Sequence, residues 1–194
     1  MVRPILVKYR TIVADPPWPY DEGFPGTLPS GRDKRVLVGK HTRTALPYKA
    51  LSIEAIAALP VRELADVSGC RLFLWTTNKY LRQGFDILNE WGFRYTQTLV
   101  WDKLRSTPFI MSVAPNSAEF ILVGAIGKPP RTGGFPGAVI PYGRPNEHAH
   151  KPDIFIDFIE QTSPPPYVEL FARRHRLGWD VWGNESANTA ELAV

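Results

Sequence analysis

Lys8-Tyr9-Arg10-Thr11-Ile12-Val13-Ala14-Asp15-Pro16-Pro17-Trp18 decides how this chain is read. The run up to Ala14 has the apolar, β-branched character of a buried strand. Two prolines after an aspartate cannot continue a ladder, because neither has a backbone N–H to donate. The stretch therefore predicts a strand that stops at a carboxylate, with proline carbonyls facing outward as acceptors and an indole beside them. An exocyclic amino group on a planar base needs those partners: acceptors for its two N–H bonds and a ring to stack on. The same residues also describe a plain strand end with a stiff turn, in which Trp18 is core. The rest of the chain separates the two readings.

Working outward, the residues from 19 to 47 are rich in glycine, proline and charge and show little periodicity, which reads as a long flexible loop, functional or disordered. Ser52 is placed to cap a short helix over 53–59, ended by Pro60. A bounded β-rich run over 70–76 reads as an internal strand. Asn78 is a candidate cap for a helix over 79–91, whose Leu81, Phe85, Leu88 and Trp91 share one face and whose stop is Gly92. Strands follow over 95–101 and 120–124, then a second flexible loop over 127–149. Pro152 suits the first turn of a helix to about residue 162, with Ile154, Phe155, Phe158 and Ile159 on one face. Strands over 167–171 and 179–182 complete the pattern, and the tail 186–194 reads as frayed. Strands alternating with amphipathic helices predict an α/β fold with a mostly parallel sheet covered on both faces. Ligands on such sheets bind at the carboxyl ends of strands, where Asp15 falls.

The 194 residues suit one domain, with its core at about 8–185. No apolar run reaches membrane-spanning length and the first residues lack a signal-peptide core, so the expected location is cytoplasmic. Cys70 is the only cysteine, which excludes disulfides within the chain and cysteine-based metal clusters. His148 and His150 have ligand-like spacing but no accompanying cysteine or acid, so no metal is expected. The net charge of +4 is compatible with a nucleic-acid partner.

Further landmarks follow in order: Leu46-Pro47-Tyr48 with Leu51-Ser52, Leu74-Trp75-Thr76-Thr77-Asn78, Trp91-Gly92-Phe93 and Trp101-Asp102-Lys103. After them come His150-Lys151-Pro152-Asp153, Glu169-Leu170-Phe171-Ala172-Arg173, and Trp179 with Gly183-Asn184-Glu185. With Asp15-Pro16-Pro17-Trp18 at their head, these resemble the METTL/MTA family of S-adenosylmethionine-dependent adenine N6-methyltransferases from about residue 8 to 185. The resemblance implies a Rossmann-like methyltransferase fold with permuted motif order. It implies a catalytic set of Asp15, Pro16, Pro17, Trp18 and Tyr48, in which Asp15 and the Pro16 carbonyl hold the target amino group, Trp18 packs beside the base and Tyr48 closes over it. It implies cofactor contacts from Asp15, Lys151, Phe171, Arg173, His175, Asn184 and Glu185, the last two suited to ribose hydroxyls. The chain departs from the messenger-RNA enzyme at Arg176 and Glu185, where that enzyme has Asn and Gln. The family's Gly-rich stretch corresponds only approximately to residues 113–119.

The chemistry fits these residue types. The adenine amino lone pair is delocalised into the ring, and acceptors for both N–H bonds favour the pyramidal, nucleophilic form. The same groups stabilise the positive charge that develops as the methyl arrives. A base inside a duplex cannot reach such a site, so it is flipped out or presented in a single strand. Arg32, Lys34, Arg35, Lys40 and Arg43 on the first loop, and Lys128 and Arg131 on the second, are candidate backbone contacts. Glu119 is a candidate loop-orienting acid near the site. DNA is favoured over RNA, with sequence specificity weak or contributed by a homodimer or heterodimer partner. The alternatives are a catalytically silent nucleic-acid-binding subunit and an amino-methyltransferase acting on cytosine. Silent partners in the family lose the Asp or the Trp of the motif, and both are present here.

Overall fold

Strand β1 (Thr11–Ala14) is buried on both faces and lies parallel to β2 (Gly69–Thr76) on one side and β6 (Tyr167–Leu170) on the other. The computed structural model describes residues 7–19, 50–104, 116–143, 151–183, 188–190 and 192. Among the described residues the sheet around β1 has seven strands, in the order β5-β3-β4-β2-β1-β6-β7. Its other members are β3 (Arg94–Asp102), β4 (Ala118–Gly127), β5 (Val139–Pro141) and β7 (Trp179–Trp182). Only β4 runs against the rest: it is antiparallel to both β2 and β3, while every other pairing is parallel.

Alternation along the strands sends side chains to two separate apolar layers. Ile12, Ala14, Leu72 and Leu74 pack with α1 (Ile53–Ala57), α2 (Val61–Leu64) and α3 (Leu81–Glu90), through Ile56, Leu64, Ile87 and Leu88. Val13, Phe73 and Trp75 face the other way, onto Phe155 and Ile159 of α4 (Asp153–Thr162). Helices thus cover both faces of a mostly parallel sheet, the Rossmann-like arrangement the motifs imply.

Several local expectations change. Ser52 does cap α1, its hydroxyl accepting from the Ala55 N–H at 3.1 Å, but the helix ends at Ala57. Asn78 is not a cap: it begins a 3₁₀ turn, Asn78–Tyr80, that feeds α3. The expected loop from 127 contains β5, and β4 extends beyond the expected 120–124 in both directions. The tail is not frayed at 188–190. Thr189 and Ala190 donate backbone N–H bonds to the Val181 carbonyl, Asn188 Oδ1 accepts from the Gly183 N–H at 2.7 Å, and Ala190 is buried.

Candidate active site

Val13 and Asp15 are two apart on β1 and its extension, so the Asp15 carboxylate leaves the strand on the α4 side of the sheet. Pro16 and Pro17 end the ladder as expected, but their carbonyls are partly engaged. The Trp18 N–H donates to Pro16 O at 2.8 Å, and the Leu51 N–H donates to Pro17 O at 3.0 Å. A carbonyl has two lone pairs, so Pro16 keeps one for a ligand. The expectation of an open indole plate at Trp18 is corrected. Trp18 is 3 % exposed, stacks on Tyr80 with ring centres 5.2 Å apart, and donates from Nε1 to the Trp75 carbonyl at 3.3 Å. Its ring locks the turn from inside the core.

Lys151, two residues before α4, reaches Asp15 with Nζ 2.9 Å and 2.8 Å from the two carboxylate oxygens. Glu119, the second residue of β4, lies 3.4 Å from the same ammonium and bonds with its other oxygen to buried Lys103. The reversed direction of β4 brings this acid to the site, because its beginning lies where the parallel strands end. Two cations and two carboxylates thus form a continuous chain over an aromatic floor. Lys151 stands 5.2 Å from the Trp75 ring centre and Lys103 5.1 Å from that of Trp101. Phe155 meets both indoles edge-on. Burial alone would push the Lys151 ammonium down, but Asp15 and Glu119 more than offset it and hold it above the ordinary lysine range. Burial would likewise raise Glu119; the two lysines outweigh it and hold the carboxyl below its ordinary range.

The cleft beside Asp15 is also lined by Glu169, Phe171 and Arg173. Phe171 follows β6 with φ of 63°, an uncommon left-handed conformation for a bulky residue, and turns the chain sharply at the strand end. Ala172 donates to the Trp182 carbonyl, and a Cβ at Gly183 would sit 2.5 Å from Ala172 O. Only glycine lets β7 end this close to the cleft wall. Arg174 and Arg176 pair with Asp153 at the start of α4, tying the turn after β6 to that helix. His175 is exposed and does not line the cleft. Tyr48, Asn184, Glu185, His148, His150 and the basic residues Arg32, Lys34, Arg35, Lys40 and Arg43 lie outside the described residues.

Glu169 belongs to the Glu169-Leu170-Phe171-Ala172-Arg173 motif, which by itself implies no role for the carboxyl. Its signal was a charge at the end of an otherwise apolar strand, Tyr167-Val168-Glu169-Leu170. Burial and the neighbouring Asp15 charge push its carboxyl up to about 7, against the lowering effect of Arg174 and Arg176. Between about pH 4.5 and 7 the folded chain holds a proton here that the unfolded chain has lost, so stability falls as pH rises through that window. Glu169→Gln is expected to raise the midpoint of thermal unfolding at pH 8, by about 1–3 kcal/mol of stability, and to leave it unchanged at pH 4. Unfolding scans at both pH values check this; equal shifts at both would contradict it.

The donor set also suits a positively charged ligand. Two carboxylates, Asp15 and Glu169, face one cleft, and no hydrogen bond or ion pair reaches the Glu169 carboxyl among the described residues. A cation there would relieve their repulsion. Comparison with known proteins extends this reading. A family model described as MT-A70 matches residues 9–185. The chain belongs to the MT-A70 family. This MT-A70 chain is 31 % identical over 188 residues to the type II methyltransferase M.MunI of Mycoplasma sp., covering 92 % of the chain and 78 % of that protein. It is 27 % identical to the N(6)-adenosine-methyltransferase MT-A70-like protein of Drosophila melanogaster and 26 % identical to the human N(6)-adenosine-methyltransferase catalytic subunit METTL3. Each of those matches covers 93 % of the MT-A70 chain but only 27 % and 29 % of the longer relative. Among the described residues no helix is long and apolar enough to cross a membrane.

Proposed function

We propose that DNA is the polymer on which this protein acts and that Asp15 receives the amino group to be methylated. The reaction is that of the family: a methyl group passes from S-adenosylmethionine to the exocyclic N6 amino group of adenine in nucleic acid. The observation that carries the site assignment is the Asp15 carboxylate held open at the end of β1 by Lys151. Each carboxylate oxygen accepts one bond from the ammonium and keeps lone-pair capacity for an amino N–H. The free lone pair of the Pro16 carbonyl is available to the second N–H.

S-adenosylmethionine supplies an electrophilic methyl group and leaves as a neutral thioether. Glu169 and Asp15 would face its cationic end, and Phe171 and Arg173 would line its seat, with Asn184 and Glu185 at the ribose as the motif implies. The protein's own contribution is orientation and charge. Asp15 aligns the amine and stabilises the positive charge that grows on its nitrogen, then takes up the proton that the methylated amine sheds. Lys151, fixed by Glu119, holds the plane of the carboxylate in one position.

DNA is preferred because the chain aligns along most of a type II methyltransferase of Mycoplasma sp., against under a third of the N(6)-adenosine-methyltransferases. A second subunit, identical or related, would supply sequence specificity. The test is mass spectrometry of nucleosides from DNA and RNA incubated with the protein and labelled cofactor. N6-methyladenine in DNA above that in RNA is expected. RNA labelled in preference would reassign the polymer, labelled cytosine the base, and no label in either with the cofactor bound would sink the proposal.

A further inference from the structure

A second cavity, of about 580 Å³, opens on the same face of the sheet as the active site but at the opposite end of the strands. Trp75 of β2 lines the catalytic cleft, whereas Arg71 and Phe73 of the same strand line this one. Asp153 and Thr162, at the two ends of α4, divide between them in the same way. Four cations, Arg71, Arg94, Lys128 and Arg131, line the cavity with no aspartate or glutamate in its wall. No carboxylate pairs with any of them among the described residues.

The wall is built rather than incidental. Arg71 donates from Nη1 to the carbonyls of Pro130 and Thr162 and to Ser163 Oγ, and from Nη2 to the Pro129 carbonyl, which fixes the guanidinium in place with no carboxylate beside it among the described residues. Burial and the neighbouring Arg131 charge pull the Arg71 guanidinium below its ordinary range, so an anion between them would be favoured by both. The loop carrying Lys128 and Arg131 is pinned to the last turn of α4, where Thr132 Oγ1 donates to Gln161 O at 2.7 Å. A Cβ at Gly133 would fall 2.6 Å from that same carbonyl, so glycine permits the close approach. On the opposite wall the β3–β4 register shifts between Tyr95 and Gln97. Such a bulge re-aims side chains, and Arg94, Thr96 and Gln97 all line the cavity.

We infer that this groove grips the phosphodiester backbone of the substrate strand beside the target adenine, with Arg94, Lys128 and Arg131 as the phosphate contacts and Arg71 as a fixed charge beneath them. The inference rests on the reading above that the substrate is nucleic acid. Two strand geometries give the span. From Trp75 to Arg71 is four residues of β2, roughly 13 Å. From Asp153 to Thr162 is nine residues of α4, again roughly 13 Å. A stacked strand advances about 3.4 Å per nucleotide, so the contacted phosphates lie about four nucleotides from the methylated base.

The test compares the parent chain with the double variant Arg94→Gln/Lys128→Gln on two adenine-containing oligonucleotides. One has flanks of two nucleotides, the other flanks of about eight, twice the inferred reach. The ratio of kcat/KM, long over short, is expected to fall about tenfold at 0.1 M salt. The slope of log affinity for the long strand against log salt should shrink by roughly 1.5, the share of two phosphate contacts. Cofactor affinity by calorimetry should match the parent. An unchanged ratio and slope in a variant with the parent's unfolding midpoint overturns the groove and leaves the proposed function standing. No methyl transfer by the parent chain to any oligonucleotide overturns the functional reading itself, and the groove with it. Should the double variant lose its fold, Arg131→Gln provides the same two readouts, with a slope change of roughly half the size.

Discussion

Asp15→Asn is expected to slow methyl transfer by about 100- to 1000-fold while moving the unfolding midpoint little. The amide keeps the shape of the side chain and one acceptor oxygen, so the turn at Pro16 and Pro17 is undisturbed. What it loses is the negative charge beside the amine nitrogen, which matters most when the transferring methyl makes that nitrogen positive. Lys151 is not orphaned by the change, because Glu119 remains 3.4 Å from its ammonium. Single-turnover transfer of labelled methyl to an adenine oligonucleotide, with a thermal scan of the same preparation, measures both quantities. A rate near the parent's would remove Asp15 from the chemistry. A collapsed midpoint with a matching rate loss would make it a structural residue.

Lys151→Met is expected to be damaging in a different way. It removes the cation between Asp15 and Glu119 and leaves those carboxylates, with Glu169 close to Asp15, facing one another in a half-buried cleft. Breaking a buried pair from one side costs about 3–5 kcal/mol; the partial exposure of this one argues for roughly 2–4. The loss should depend on pH. In the parent the ammonium helps hold the folded Glu119 carboxyl below its ordinary range, against the opposing effect of burial. A lowered folded value contributes stability above the unfolded range and loses it as pH falls, and the variant forgoes the share that Lys151 supplies. The variant should therefore lie nearest the parent at about pH 4 and fall furthest behind by pH 8. Lys151→Arg should recover most of the stability. Unfolding scans of all three proteins at the two pH values decide it, and a gap that does not widen with pH would show that the pairing energy lies elsewhere.

The sheet was legible because its strands are short apolar runs with turn residues at both ends, and α3 and α4 because their apolar residues recur at helical spacing. What escaped were features too short or too non-local for such patterns. Helix α2 is four residues behind Pro60, and β5 is three residues within a Gly- and Pro-rich stretch held by pairing to β3. The direction of β4 was not readable, since a strand buried on both faces has the same composition either way. That direction is what carries Glu119 to the site. Lys151 and Asp15 were assigned to one site through the ordered motifs, not through any local signal across 136 positions. Trp18 was drawn toward the substrate by its motif, whereas packing against Tyr80 keeps it in the core. Lys128 and Arg131 were legible as basic residues in a loop; that Arg94 and Arg71 meet them needed the bulge in β3 and the end of α4.

The segment at 188–190 has a consequence for handling the protein. An uncovered outer strand offers unpaired N–H and C=O groups to any neighbouring chain and so templates aggregation. Here Thr189 and Ala190 occupy the Val181 carbonyl, and the Thr189 hydroxyl takes the Val181 N–H. Shortening the chain to residue 187 would bare the rim of β7 to self-association and free Gly183 from Asn188 in the same cut. Residues 188–190, in a tail that reads as frayed, cover the rim of β7 and hold Gly183 beside the far wall of the cleft.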